Sequence, residues 1–105
     1  MDSLVEVKLI SEDVTIGIYG EEVITEVSKT VWGEKSSVSS TEWTEAGTRG
    51  INPEFRVTIY SFEYDGQVVV EIGSAKYGVY RTYSKPNSDK IELYLQLKGG
   101  VSNEP

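Results

Sequence analysis

The last third of the chain constrains the fold most. Ile91, Leu93, Leu95 and Leu97 alternate with Glu92, Tyr94, Gln96 and Lys98. A period of two is the mark of a strand with one apolar and one wetted face. A second strand precedes it, with Tyr77, Val79, Arg81 and Tyr83 on one face and Tyr80 and Thr82 on the other. Ser84-Lys85-Pro86-Asn87-Ser88-Asp89 lies between them. Pro86 sets its own φ and lacks a donor, and Asn87 and Asp89 can bond their own backbone, so this is the turn of a hairpin. A slip of one residue would turn the leucine face outward, so the register is well specified.

Upstream, β-rich runs recur. Leu4 to Ile10 and Val14 to Tyr19 can form a hairpin through the polar break Ser11-Glu12-Asp13. Val23 to Lys35 is the third region, with a change of phase near Ser28 or Lys29 that reads as a bulge. Gly33 inside it marks a bend or a close backbone approach. Between Ser36 and Pro53 the alternation stops. Here Ser40 or Thr41 can cap a short helix that runs to Ala46 and ends at Gly47. Connections this long in a compact domain are usually functional or mobile.

Strand character resumes from Glu54 to Glu63, where Phe55, Val57 and Ile59 share a face. Tyr64-Asp65-Gly66-Gln67 reads as a tight hairpin turn, Val68 to Ile72 as the next strand and Gly73-Ser74 as a break. Tyr64 to Gly73 suits an intermolecular edge as well as a central strand. The expected fold is one all-β domain, residues 1–105. It is a small antiparallel β-barrel or sandwich of six to seven strands, with a long mobile loop at 36–53, at most a short helical turn, and a frayed tail at 99–105.

The chemistry available is narrow. The 105 residues include no cysteine and no histidine, which removes thiolate ligands, disulfides, the commonest general base and the commonest zinc ligand. The carboxylates fall at turn-like or solvent-facing positions, and no phosphate-binding loop, dinucleotide fingerprint or nucleophile elbow occurs. The expectation is a non-enzyme with no cofactor and no metal. With no signal-like N-terminus and no apolar run of about 20 residues, it should be soluble and made in a cytoplasm, with no membrane partner. The net charge of −7 opposes binding to phosphate backbones. Tyr77, Tyr80, Tyr83 and Tyr94 gather with Arg81 on the last hairpin. Without a basic groove they suit cross-strand packing or a wet subunit interface better than base stacking.

Four passages carry a resemblance: 7–22 (VKLISEDVTIGIYGEE), 30–47 (TVWGEKSSVSSTEWTEAG), 55–72 (FRVTIYSFEYDGQVVVEI) and 76–100 (KYGVYRTYSKPNSDKIELYLQLKGG). In order and spacing the chain resembles the head-closure proteins of long-tailed bacteriophages, also called stopper or head–tail joining proteins. The resemblance implies a small β-barrel of the virion, at the head–tail interface, made in the bacterial host. It implies a homo-oligomeric ring beneath the portal–adaptor ring, monomeric in isolation, that retains packaged DNA and offers a docking face to the tail completion or terminator protein. DNA would be met only by proximity. By position, the loop facing neighbours or the lumen would include Ser36, Val38, Thr41, Trp43, Arg49 and Ile51. Apart from the resemblance, the residues themselves mark an aromatic hairpin face of Tyr77, Tyr80, Arg81, Tyr83 and Tyr94. Two other readings stay open: a neighbouring connector or tail-terminator protein, and a small OB-like barrel that binds nucleic acid or peptide.

Overall fold

A computed structural model describes residues 3–97. It is a closed six-stranded barrel: β1 (Ser3–Ile16), β2 (Glu22–Ser36), β3 (Pro53–Tyr60), β4 (Val69–Ile72), β5 (Ala75–Tyr83) and β6 (Lys90–Leu97), in the order β1-β2-β3-β6-β5-β4. Every pairing is antiparallel. One helix, α1 (Ser40–Gly47), sits between β2 and β3, and one 3-10 turn (Ser61–Glu63) follows β3. The tail expected to fray, 99–105, lies outside the described residues.

The barrel interior is filled by alternate residues of facing strands, as the period of two requires. Val7 and Leu9 of β1, Val57 and Ile59 of β3, Val70 of β4, and Leu93 and Leu95 of β6 are all but sealed from water. Gly33 of β2 is where the wall comes closest. A methyl group there would stand 2.8 Å from Val57 Cγ1, 3.0 Å from Ile59 Cγ2 and 3.1 Å from Val7 Cγ2. The absent side chain lets β2 lie against the opposite wall, the close approach that its position in a strand suggested.

Several local expectations give way to the barrel. Ser11-Glu12-Asp13 is no turn; β1 runs straight through it, and the chain reverses at Gly17–Glu21, where Gly17 N–H donates to Glu21 O at 2.8 Å. Three charge-bearing or polar residues in a row suit a strand whose faces are both wet. The β1–β2 register is unbroken from Ser3↔Lys35 to Ile16↔Glu22, so no bulge falls near Ser28. The bulge is in β5 instead: Val79 pairs Leu95 and Arg81 pairs Tyr94, leaving Tyr80 as the extra residue. Tyr77 and Val79 therefore face inward with the β6 leucines, while Arg81 and Tyr83 lie outside with Tyr94 and Glu92. The four do not share a face.

β3 ends at Tyr60 rather than Glu63, and Asp65-Gly66 is not a hairpin turn, because β3 and β4 are not neighbours. Gly66 does take the positive φ of 85° expected of it. The segment crosses the barrel end, where Tyr64 packs against the core and its hydroxyl donates to Gln67 O at 2.7 Å. β4 is paired on both sides, to β1 and β5, so closure removes the edge expected at Tyr64–Gly73.

The barrel uses only part of its two longest strands. β1 meets β4 only at Lys8–Ile10, and β2 meets β3 only at Glu34–Ser36. From about Ser11 to Ser28 the two strands continue as a two-stranded arm, and every β2 residue from Glu22 to Thr30 is exposed. The arm accounts for the longest dimension of 52 Å and the radius of gyration of 15.4 Å, against about 13 Å for a compact chain of this size.

Candidate functional site

Two features on the outside of the barrel have geometry that the core does not explain. The first is the seat of α1. Ser39 caps the helix, its Oγ accepting from Glu42 N–H at 3.1 Å. Ala46, fully buried, is the apolar anchor, and Ile51 N–H and Arg49 N–H both donate to its carbonyl. Glu42 then reaches the barrel. Arg81 Nη2 donates to its Oε1 at 2.6 Å, and the Tyr80 hydroxyl donates to its Oε2 at 2.8 Å. The Arg81 guanidinium also lies 4.1 Å from the ring centre of Tyr94, which stands edge-on to Tyr80 at 6.3 Å. Tyr94 donates to Glu92 Oε1 at 2.8 Å; Glu92 lies 3.6 Å from Arg56 Nη1, and Arg56 Nε donates to Ser36 Oγ at 2.9 Å. One chain of polar and aromatic contacts thus joins α1 to the outer face of β5, β6 and β3 and returns to the end of β2.

The bulge at Tyr80 makes this seat. By adding one residue it swings both Tyr80 and Arg81 to the outside, where a single carboxylate can hold them. Burial by itself would raise the Glu42 pKa. The hydrogen bonds from Arg81 and Tyr80 and the nearby guanidinium charges outweigh burial, and the carboxyl lies below its usual range. Tyr80 is pushed the other way, well above the usual phenol, by burial first and then by its bond to the Glu42 carboxylate. Arg81 is raised by its hydrogen bond to Glu42. Tyr94, expected on the wetted face, is 6% exposed, because Arg81 and Tyr80 cover it.

The residues singled out in the loop and on the last hairpin divide accordingly. Ser36 is tied to Arg56, and Val38 and Ile51 are half-buried, whereas Thr41, Trp43 and Arg49 face water, Trp43 being 57% exposed. Of the aromatic face, Tyr77 packs edge-on against Phe55 at 4.9 Å, Tyr80, Arg81 and Tyr94 are taken up by the helix seat, and Tyr83 remains open. The structure brings Tyr80, Arg81 and Tyr94 together and separates them from Tyr77.

The second feature is the arm, which the sequence reading did not single out. Facing pairs in the β1–β2 register place Val14 beside Ile24 on one face, with Ile16 next to them, and Val23 and Val27 on the other. Ile18 and Tyr19 at its tip are 86% and 90% exposed. A second apolar patch, Leu4, Trp32, Tyr60 and Phe62, opens where β2 and β3 diverge. The signal was present: Val14, Ile16 and Ile18 keep alternating after Asp13, and apolar residues resume at Val23 just past Gly20-Glu21-Glu22.

Among the described residues no three of His, Cys, Asp and Glu gather as a metal site would need, and no helix is long and apolar enough to cross a membrane. No protein-family model matches the chain, and no curated protein is recognisably similar to it.

Proposed function

We propose that this protein is a structural, non-enzymatic component of a phage neck: a head-closure protein that assembles as a ring under the portal–adaptor, retains packaged DNA and receives the tail. The observation that carries this reading is the arm. A small barrel with a well-filled core has no folding need for an apolar two-stranded projection, whose exposed side chains weaken solubility. Such a projection is useful only against another surface. The α1 segment gives a second one, since Thr41, Trp43 and Arg49 are exposed on the helix and the turn after it. It also lies between β2 and β3, where the resemblance puts the loop that meets neighbours or narrows the lumen. An acidic wall would let DNA pass without gripping it. The nucleic-acid reading is weaker, since of its four stacking residues Tyr80 and Tyr94 are already engaged with Glu42 and Arg81 and Tyr77 packs on Phe55, which leaves only Tyr83 open.

The test is assembly. Virions made without this protein should appear by electron microscopy as filled heads that leak DNA and carry no tails, and purified protein should bind the portal–adaptor ring. Tailed particles of altered tail length would indicate a tail terminator. Normal virions would refute the neck assignment.

A further inference from the structure

From Glu22 to Ser28, β2 has a strand on one side only among the described residues. The bond between Gly17 N–H and Glu21 O fixes the alternation of the ladder. Odd-numbered residues of β2 bond β1, and Glu22, Ile24, Glu26 and Ser28 turn their N–H and C=O groups to the open side. This is an unpaired edge of seven residues without proline, and none of the usual devices blunts it except its charges.

We infer that this edge pairs with the same edge of a second copy, antiparallel about a two-fold axis centred on Thr25. The charges select the register. A centre at Ile24 would set Glu22 opposite Glu26 twice, and a centre at Glu26 would set that carboxylate against itself; like charges directly opposed oppose pairing. A centre at Val27 would carry the ladder to Trp32, beside Tyr60 of β3. Centred on Thr25, no two acids meet. Thr25 faces its own mate, Val23 faces Val27 twice, Ile24 faces Glu26, and Glu22 faces Ser28. Glu21 comes opposite Lys29, the first cation on β2, whose Nζ already donates to Glu63 O at 2.9 Å and lies 4.0 Å from Asp65. The result is a four-stranded sheet, β1-β2-β2-β1. Val14 and Ile24 of both copies line one face of it, and Val23 and Val27 of both line the other. Two isolated ribbons, each marginal alone, become one sheet of stable width. The contact is isologous, so it closes at two copies. Each arm carries Glu12, Asp13, Glu21, Glu22 and Glu26, so the dimer tightens as salt screens their repulsion. This inference concerns the free chain and does not rest on the neck reading, in which the arm would exchange this second copy for another neighbour.

The chain has no cysteine, so Thr25→Cys introduces a single thiol. At the two-fold its mate is a non-hydrogen-bonded partner with Cα atoms about 4.5 Å apart, inside the range a disulfide spans. Under mild oxidation T25C should yield at least about tenfold more covalent dimer than I24C, whose mate is displaced along the ladder. Light scattering should show a concentration-dependent dimer of the unmodified chain. Glu26→Pro removes an outward N–H but leaves the β1 ladder intact, and should be monomeric with an unchanged far-ultraviolet spectrum. A chain that stays monomeric at millimolar concentration, or crosslinks through V27C in place of T25C, overturns the proposal. A closed ring of more than two copies also overturns it, while supporting the neck reading.

Discussion

Replacing Glu42 with alanine should release α1 from the barrel while leaving the barrel folded. The side chain is only 11% exposed and accepts from both Arg81 Nη2 and the Tyr80 hydroxyl. Hydrogen bonds to a charged group are worth about 1.5–3 kcal/mol each. Arg81 is 38% exposed, so water recovers much of its half when the carboxylate goes. A net loss of about 2 kcal/mol follows, which is roughly thirtyfold in an opening equilibrium. The loss is local, because Ala46 and the Ser39 cap still hold the helix in part, whereas no core side chain of the barrel touches Glu42 in the contacts described. Hydrogen exchange reads this directly. The amides of Trp43, Thr48 and Ile51, bonded to Ser39, Thr44 and Ala46, should lose protection about thirtyfold. The amides of the β3–β6 ladder should stay within about threefold, the error of such local attribution. Arg81→Lys should cause a smaller but similar change, since lysine loses both the second donor and the flat face over Tyr94. If E42A left α1 exchange as slow as in the parent, the seat would be decorative, and the helix would be held by something else.

Two further outcomes follow from the same structure. Gly33→Ala should destabilise the barrel by about 1–3 kcal/mol, because its methyl must displace Val57, Ile59 or Val7 in a filled interior; urea unfolding would show a lower midpoint with an unchanged slope, and a rise in midpoint would contradict the close packing. The docking of α1 should be pH-dependent at both ends. Glu42 has a lowered folded pKa, so the unfolded form binds more protons near the ordinary glutamate value of about 4.3, and stability is lost as pH falls through that value and below. Tyr80 has a raised folded pKa, so its contribution is complete below about 10 and is lost as pH rises beyond that. A plateau in α1 protection between those limits, absent in E42A, checks both signs.

The alternation in β3 and β6 was enough to name most of the core, since a period of two states which side chains share a face before any partner is known. The final turn and the helix between Ser40 and Gly47 were legible for the same local reason, through Pro86, Asn87 and the serines ahead of Glu42, although the cap is Ser39 and not Ser40 or Thr41. The seat of α1 was not legible, because Glu42 and Arg81 are 39 residues apart and meet only through a bulge that depends on the β5–β6 register.

What the sequence by itself determined, then, is where the chain is extended and which side chains travel together. Tertiary structure decided which of those faces are covered. Val23 and Val27 lie on the same face of β2 as Val31, yet they are wet and it is dry. The difference is that β4 pairs with β1 only as far as Ile10. Strand order and strand length set that limit through pairings distant in sequence, and hydrophobic periodicity carries no record of where a neighbouring strand stops.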